Sequence, residues 1–540
     1  MGRGLPGCAE HAGWLSIPHL TVMRYREEYN MIYGTNPLTK MDYPDPDIIR
    51  VGDTYYIVSA TMYFMPGAVL LRSYDLINWE ICSYIYESLE HTPGERLEGE
   101  QTVYSHGMWA PCIRYHNGRF YVVFIAHEFE KTFLFTAEKA EGPWTKSYIE
   151  GIYHDPSLLF DDDGRVYIVY DGRDIKITEL KKDLSGPEPG GLHKTIVRDA
   201  PGKFLGYEGS HIYKINGKYL LFLIHSNKKK WFRTQACFMA DSLEDSVWSG
   251  GDVLMEDLDQ INPGVAQGGI VDTPDGRWFA VLFQDHGAVG RIPVLVPIEF
   301  NEYGYPVFGD VTKQIENTST RPDHKYEQLY SSDEFDYQPD EHGKIALKKV
   351  WQFNHEPVSS YWGIENNSYW IVTDKLSRTV EFARNTLTQR TVLPYCSAEI
   401  TLDARQMKIG DVAGICALIG CYSLIGIAKG QDGNYLVMKA RRQGETEEKE
   451  YARIPLKSWK VRLKVAVDFT DLRDEAQFFW LHDGKWEKIG VTHPMQYTMD
   501  HFTGCRFGLF MSSTEATGGK AAFSNFIYHC PDGTENQIRS

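Results

Sequence analysis

The sequence predicts an all-β chain, a five-bladed β-propeller followed by a β-sandwich. Three observations carry that expectation: one hairpin pattern recurs five times, sustained 3.6-residue periodicity is scarce, and the texture changes past residue 332. Each copy opens on a small or polar residue, runs through an apolar strand and a turn of Asp, Asn or Gly, and closes on an aromatic strand. The copies open at Asp45, Ala110, Asp155, Glu208 and Gln267 and close at Tyr56, Tyr121, Tyr167, Tyr219 and Trp278. The offset is 11 residues in four copies and 12 in the copy ending at Tyr167, so the register is held. Hairpins repeated at intervals of 45 to 65 residues read as one blade each.

In chain order, residues 1–32 read as an N-terminal extension and 33–318 as the propeller. Further short strands beginning near Ala68, Thr132 and Thr234 supply the second hairpins of blades, and Trp79 and Trp144 anchor turns. The apolar run Ile292–Phe300 is the last propeller strand, and the polar stretch 319–332 reads as a linker. From 333 to 533 strand-like runs such as Cys396–Leu402, Val461–Phe469 and Phe507–Met511 persist without the repeat, which suggests a sandwich closed by Ala521–Tyr528. Residues 534–540 read as a tail.

Bulk properties exclude several functions. The net charge is −17 with no long basic run, which argues against a nucleic-acid or anionic-membrane partner. No apolar run approaches the length of a membrane-spanning helix. Nine cysteines, an odd number without CxxC spacing, suggest free thiols in a reducing compartment. No stretch resembles a signal peptide, so the expected location is cytoplasmic. A homo-oligomer is compatible with the sequence.

The opening column of the repeat carries the chemistry. Asp45, Asp155 and Glu208 occupy equivalent places in a radial array and should converge on one axis. Glycosidic hydrolysis needs a protonated carboxyl at the leaving oxygen and an ionised carboxylate across the sugar, and a third carboxylate raises the acid's pKa. The longer reach of Glu suits the acid. Asp47, Asp53, Asp161, Asp162, Asp163 and Asp275 read instead as turn-capping residues, and Asp42 is a lesser alternative to Asp45. Trp109, beside the second blade's opening residue, reads equally as a sugar platform or a structural tryptophan. Gln267 is placed to hydrogen-bond near the axis.

The run Tyr43-Pro-Asp-Pro-Asp-Ile-Ile-Arg-Val-Gly-Asp-Thr-Tyr-Tyr, then Met108-Trp-Ala-Pro, His154-Asp-Pro-Ser-Leu and Tyr207-Glu-Gly-Ser-His-Ile-Tyr, resembles glycoside hydrolase family 43. The resemblance is to its β-xylosidase and α-L-arabinofuranosidase members with a C-terminal concanavalin-like sandwich. It implies an inverting exo-glycosidase releasing terminal xylose or arabinofuranose, with an oligosaccharide as partner. Asp45 would be the general base, Glu208 the general acid, and Asp155 the residue that orients Glu208. It further implies that Met62 and Phe64 lie against the pentose and that Arg291 reaches its hydroxyls. His286 would bind a hydrated divalent cation, calcium or else magnesium, ligated mainly by water. An endo-arabinanase and a non-catalytic carbohydrate-binding propeller are the alternatives. Retention of all three column carboxylates speaks against the second.

Overall fold

The computed structural model describes residues 31–199, 202–226, 231–245, 247–261 and 263–531. The predicted extension, apart from its last two residues, and the predicted tail lie outside them. Among the described residues five four-stranded antiparallel sheets follow one another along the chain. Their first strands are Asp47–Val51, Cys112–His116, Ser157–Phe160, Glu208–Ile215 and Val265–Asp272. Each first strand packs against the next, and Val265–Asp272 packs back on Asp47–Val51, which closes a five-bladed ring. Neighbouring blades cover both faces of a sheet, so strands such as Lys218–Ser226 are buried almost throughout and read as continuous apolar runs. Asn117-Gly118 and Asn216-Gly217 turn two of the inner hairpins, both residues with positive φ as a tight two-residue turn demands.

A buried polar cluster pins the ring at its centre. Asp47 Oδ2 accepts from Arg114 Nη1 at 2.6 Å and from the Ile113 amide at 2.8 Å, while Oδ1 lies 3.0 Å from His211 Nδ1. Arg114 also donates to the Leu158 carbonyl and to Ser157 Oγ. Tyr213 Oη, 3.5 Å from Asp47, accepts from the Ile270 amide. All five blades are thereby tied to one carboxylate. Burial pushes the pKa of Asp47 up, but Arg114 and His211 outweigh it and leave Asp47 well below the usual range. This corrects the turn-cap reading of Asp47. Asp47 opens the strand Asp47–Val51, and its side chain points to the axis and not into a turn.

Two further sheets of eight strands each form the sandwich. One sheet ends on a strand of the propeller. Phe64–Met65, between the second and third strands of blade one, pairs with Gln352–Asn354. The stretch expected as a linker lies docked on blade one. The Thr320 amide donates to the Tyr74 carbonyl at 2.8 Å, and the Tyr74 amide donates to Tyr326 Oη at 2.8 Å. One apolar core runs from Tyr43, Leu71 and Val281 of the propeller to Leu387, Ile415 and Phe507 of the sandwich. The described cysteines are free thiols, nearly all buried.

Candidate active site

Unusual backbone presents the column residues. Asp45, Asp155 and Gln267 have φ of 51°, 45° and 60°, the left-handed region that non-glycine residues adopt uncommonly. Asp45 and Asp155 each precede proline, which disfavours the ordinary helical region. At Glu208 the following residue, Gly209, takes the positive φ instead, and the strand register shifts there. A Cβ on Gly209 would lie 2.8 Å from the Gln267 side chain, so this turn needs glycine.

The carboxylates converge as the column predicts. Oxygens of Asp155 and Glu208 and a ring nitrogen of His154 lie within 4.8 Å of one another. Asp155 Oδ2 accepts from the Gly209 amide at 2.9 Å, which fixes it beside Glu208. Burial, and then the charge of Asp155, raise the Glu208 pKa to about 7. The same Asp155 charge raises His154. Asp45 is gripped by Arg291, whose Nη1 donates to Oδ1 at 2.6 Å. Burial raises the Asp45 pKa and Arg291 opposes the rise.

Arg291 stands in a second polar layer that the sequence did not reveal. Its Nε lies 3.5 Å from Asp285 Oδ1, and Arg233 Nε donates to Asp285 Oδ2 at 2.6 Å. Both guanidinium groups stand 4.8 Å from the Phe283 ring centre. Asp42 is occupied elsewhere: its oxygens accept from the amides of Arg291 and Gly504, which makes it a brace between propeller and sandwich.

The sandwich lines the site. The loop 497–504 is held by the Gly504–Asp42 bond, by the Cys505 amide on the Ala288 carbonyl and by Thr503 on Tyr63 Oη. It sets Phe502 4.6 Å from the Arg291 guanidinium and stacked on Trp109, with ring centres 5.3 Å apart and planes 16° from parallel. Tyr497 lies within the field of Arg291, Asp42 and Asp45. Trp109 also contacts His127 and His154, so it belongs to the wall beside the carboxylates. Met62 packs in the same apolar cluster. Phe64 does not face the pocket. It is 1% exposed, lies in the sandwich-sheet strand and carries the Arg506 guanidinium 3.5 Å from its ring centre. The sugar-contact expectation for Phe64 is therefore replaced by a packing role at the domain boundary. Gln267 lies buried against Gly209, its amide donating to Gln235 Oε1 at 2.7 Å.

His286 follows Asp285 at the start of a short turn. Burial lowers its pKa to about 4, so its ring is neutral near pH 7, and its Nε2 is buried without a hydrogen-bond partner among the described residues. A neutral imidazole with a free ring nitrogen fits a metal-ligand role. His211, by contrast, is engaged by Asp47.

A protonatable carboxyl at about pH 7, an arginine-held carboxylate and an aromatic wall beside them have the make-up of a glycoside hydrolase. Residues 34–306 match the Glycosyl hydrolases family 43 and residues 339–529 the beta xylosidase C-terminal concanavalin A-like domain. The chain belongs to that family and is a glycoside hydrolase, which implies an oligosaccharide substrate. It is similar to a putative beta-xylosidase of Xylanibacter ruminicola, 30% identical over 412 residues that cover 74% of each protein. A beta-xylosidase of Formosa agariphila is 24% identical over 562 residues, covering 91% of this chain and 90% of that protein. Among solved structures, a bifunctional GH43-CE protein of Bacteroides eggerthii superposes with a TM-score of 0.85 and 36% identity over 92% of this chain. The chain spans 63% of that protein's length. Among the described residues no helix is long and apolar enough to cross a membrane.

Proposed function

We propose that the chain is an inverting exo-glycosidase that releases terminal xylose or arabinofuranose from xylo- or arabino-oligosaccharides. The carrying observation is the divergence of environments within one column. Glu208 is held protonatable near neutrality beside Asp155, while Asp45 is paired with Arg291. In this reading Glu208 protonates the glycosidic oxygen as the bond breaks and Asp45 takes a proton from the attacking water. Asp155 keeps Glu208 loaded and in place. The wall of Trp109 and Phe502 favours a closed pocket over the open groove of an endo-enzyme. The relatives' names support both sugars, since they include beta-xylosidases and a non-reducing end alpha-L-arabinofuranosidase of Bacteroides ovatus.

His286, with its unpartnered buried nitrogen, is proposed as the protein ligand of a hydrated divalent cation, calcium or magnesium. Such an ion would supply positive charge that lessens repulsion among the nearby carboxylates.

Aryl xyloside and aryl arabinofuranoside turnover, followed by proton NMR of the first-formed sugar, tests the reading. Inverted product is expected. Retained configuration rejects the mechanism, and absence of turnover on both rejects the activity.

A further inference from the structure

Two large aromatic rings stand in solvent on the Glu208 side of the site, where the fold does not need them. Phe204 is 67% exposed and Trp231 is 40% exposed. Their rings meet edge to face, with centres 5.5 Å apart and planes at 83°. Phe204 lies just ahead of Glu208, and its neighbour Leu205 is anchored by its carbonyl, which accepts from the Ser226 amide at 3.1 Å, and by packing against Phe283. Trp231 is held from beneath. It stands near enough to Asp285 to help lower that carboxyl's pKa, and the Arg233 guanidinium stands 5.0 Å from its ring centre. Asp285 in turn binds Arg233 and faces Arg291, the residue that grips Asp45. Arg233 is near enough to lower the pKa of both Glu208 and Asp45.

Trp231 is thus supported on the Arg233–Asp285 pair that leads through Arg291 to Asp45, while the apolar surface of the aromatic pair stays open. Exposed paired aromatics that are rigidly supported mark a binding surface. Here the ligand must present an apolar face within reach of the acid. A sugar ring does so through its C–H face. Trp109 and Phe502 already wall the pocket for the terminal sugar, and a general acid sits beside the oxygen that leaves. The ring bonded to that oxygen must therefore lie on the Glu208 side.

We propose that Phe204 and Trp231 form the subsite for the sugar on the leaving-group side of the scissile bond. The right-angled pair makes a corner for one ring, so it sets preference for oligosaccharides over simple glycosides. This inference rests on the assignment of Glu208 as general acid.

The test compares xylobiose and the matching arabino-disaccharide with the glycosyl fluoride of the same terminal sugar, whose leaving atom carries no ring. For Phe204→Ala and Trp231→Ala, kcat/KM on the disaccharide divided by kcat/KM on the fluoride should fall about tenfold, the scale of one aromatic contact, chiefly through KM. Trp231→Phe, which keeps a ring, should recover most of the ratio. In a Glu208→Gln background, calorimetry should show Phe204→Ala weakening disaccharide binding by a similar factor while free xylose or arabinose binding is unmoved. An unchanged ratio in an enzyme that cleaves these disaccharides overturns the subsite alone, as does an equal loss on the fluoride. A wild-type protein that cleaves neither substrate overturns the subsite together with the proposed function.

Discussion

Replacing Glu208 by glutamine should stabilise the protein, and only at neutral to alkaline pH. In the folded chain burial and the charge of Asp155 raise the carboxyl from 4.5 to about 7. An acid whose folded pKa is raised contributes stability that is fully present below its unfolded value, near 4.5, and is lost as pH rises through the folded value. Each pH unit of difference corresponds to roughly 1.4 kcal/mol, so wild type gives up on the order of 3 kcal/mol between pH 4.5 and pH 8. Glutamine has nearly the same shape and cannot ionise. At pH 4 the two proteins should therefore melt together. At pH 8.5 Glu208→Gln should melt about 3 °C higher if the chain unfolds as one unit of this size. Paired calorimetric scans across pH read the difference, to which His154, itself raised by the charge of Asp155 and then by that of Glu208, also contributes. A pH-independent difference, or a gain confined to acid, would refute the placement of Glu208 as a buried acid beside an ionised neighbour.

Other outcomes follow from the same geometry. The kcat/KM profile should fall above about pH 7 as Glu208 loses its proton, and Asp45→Asn should lose at least a thousandfold on every glycoside, aryl leaving groups included. Near-normal turnover by Asp45→Asn would remove Asp45 from the chemistry. Phe502→Ala should raise KM for small glycosides about tenfold while leaving the melting temperature within a few degrees, because it strips the ring stacked on Trp109 from the aromatic wall. Unaltered KM would make the sandwich loop a bystander. Chelation should depress activity and added calcium restore it, with His286→Ala indifferent to both and showing no calorimetric calcium binding. Full activity after exhaustive chelation would return His286 to an ordinary buried histidine.

The propeller and its carboxylate column were legible because the repeat fixes an offset. A residue that opens one inner strand toward the axis predicts the residues that open the others, and Asp45, Asp155 and Glu208 are found together. Arg233, Asp285 and Phe502 were not legible. The first two come from parts of the blades where the repeat is silent, and Phe502 arrives from a loop of another domain with no local pattern to mark it. Asp47 was misread because an Asp opening a strand looks like a turn cap, whereas its carboxylate is held at the axis by Arg114 and His211. Phe64 was misplaced because its position was carried over from the family resemblance, which does not record that Arg506 of the sandwich covers its ring in this chain.

The short strand Phe64–Met65 also bears on the order in which a ribosome can deliver a working enzyme. It emerges with the first blade, but its pairing partner Gln352–Asn354 is made only after all five blades have left the ribosome. The pocket waits longer still, for Phe502. A nascent chain thus carries its three carboxylates well before the residue that walls the site beside them has been made.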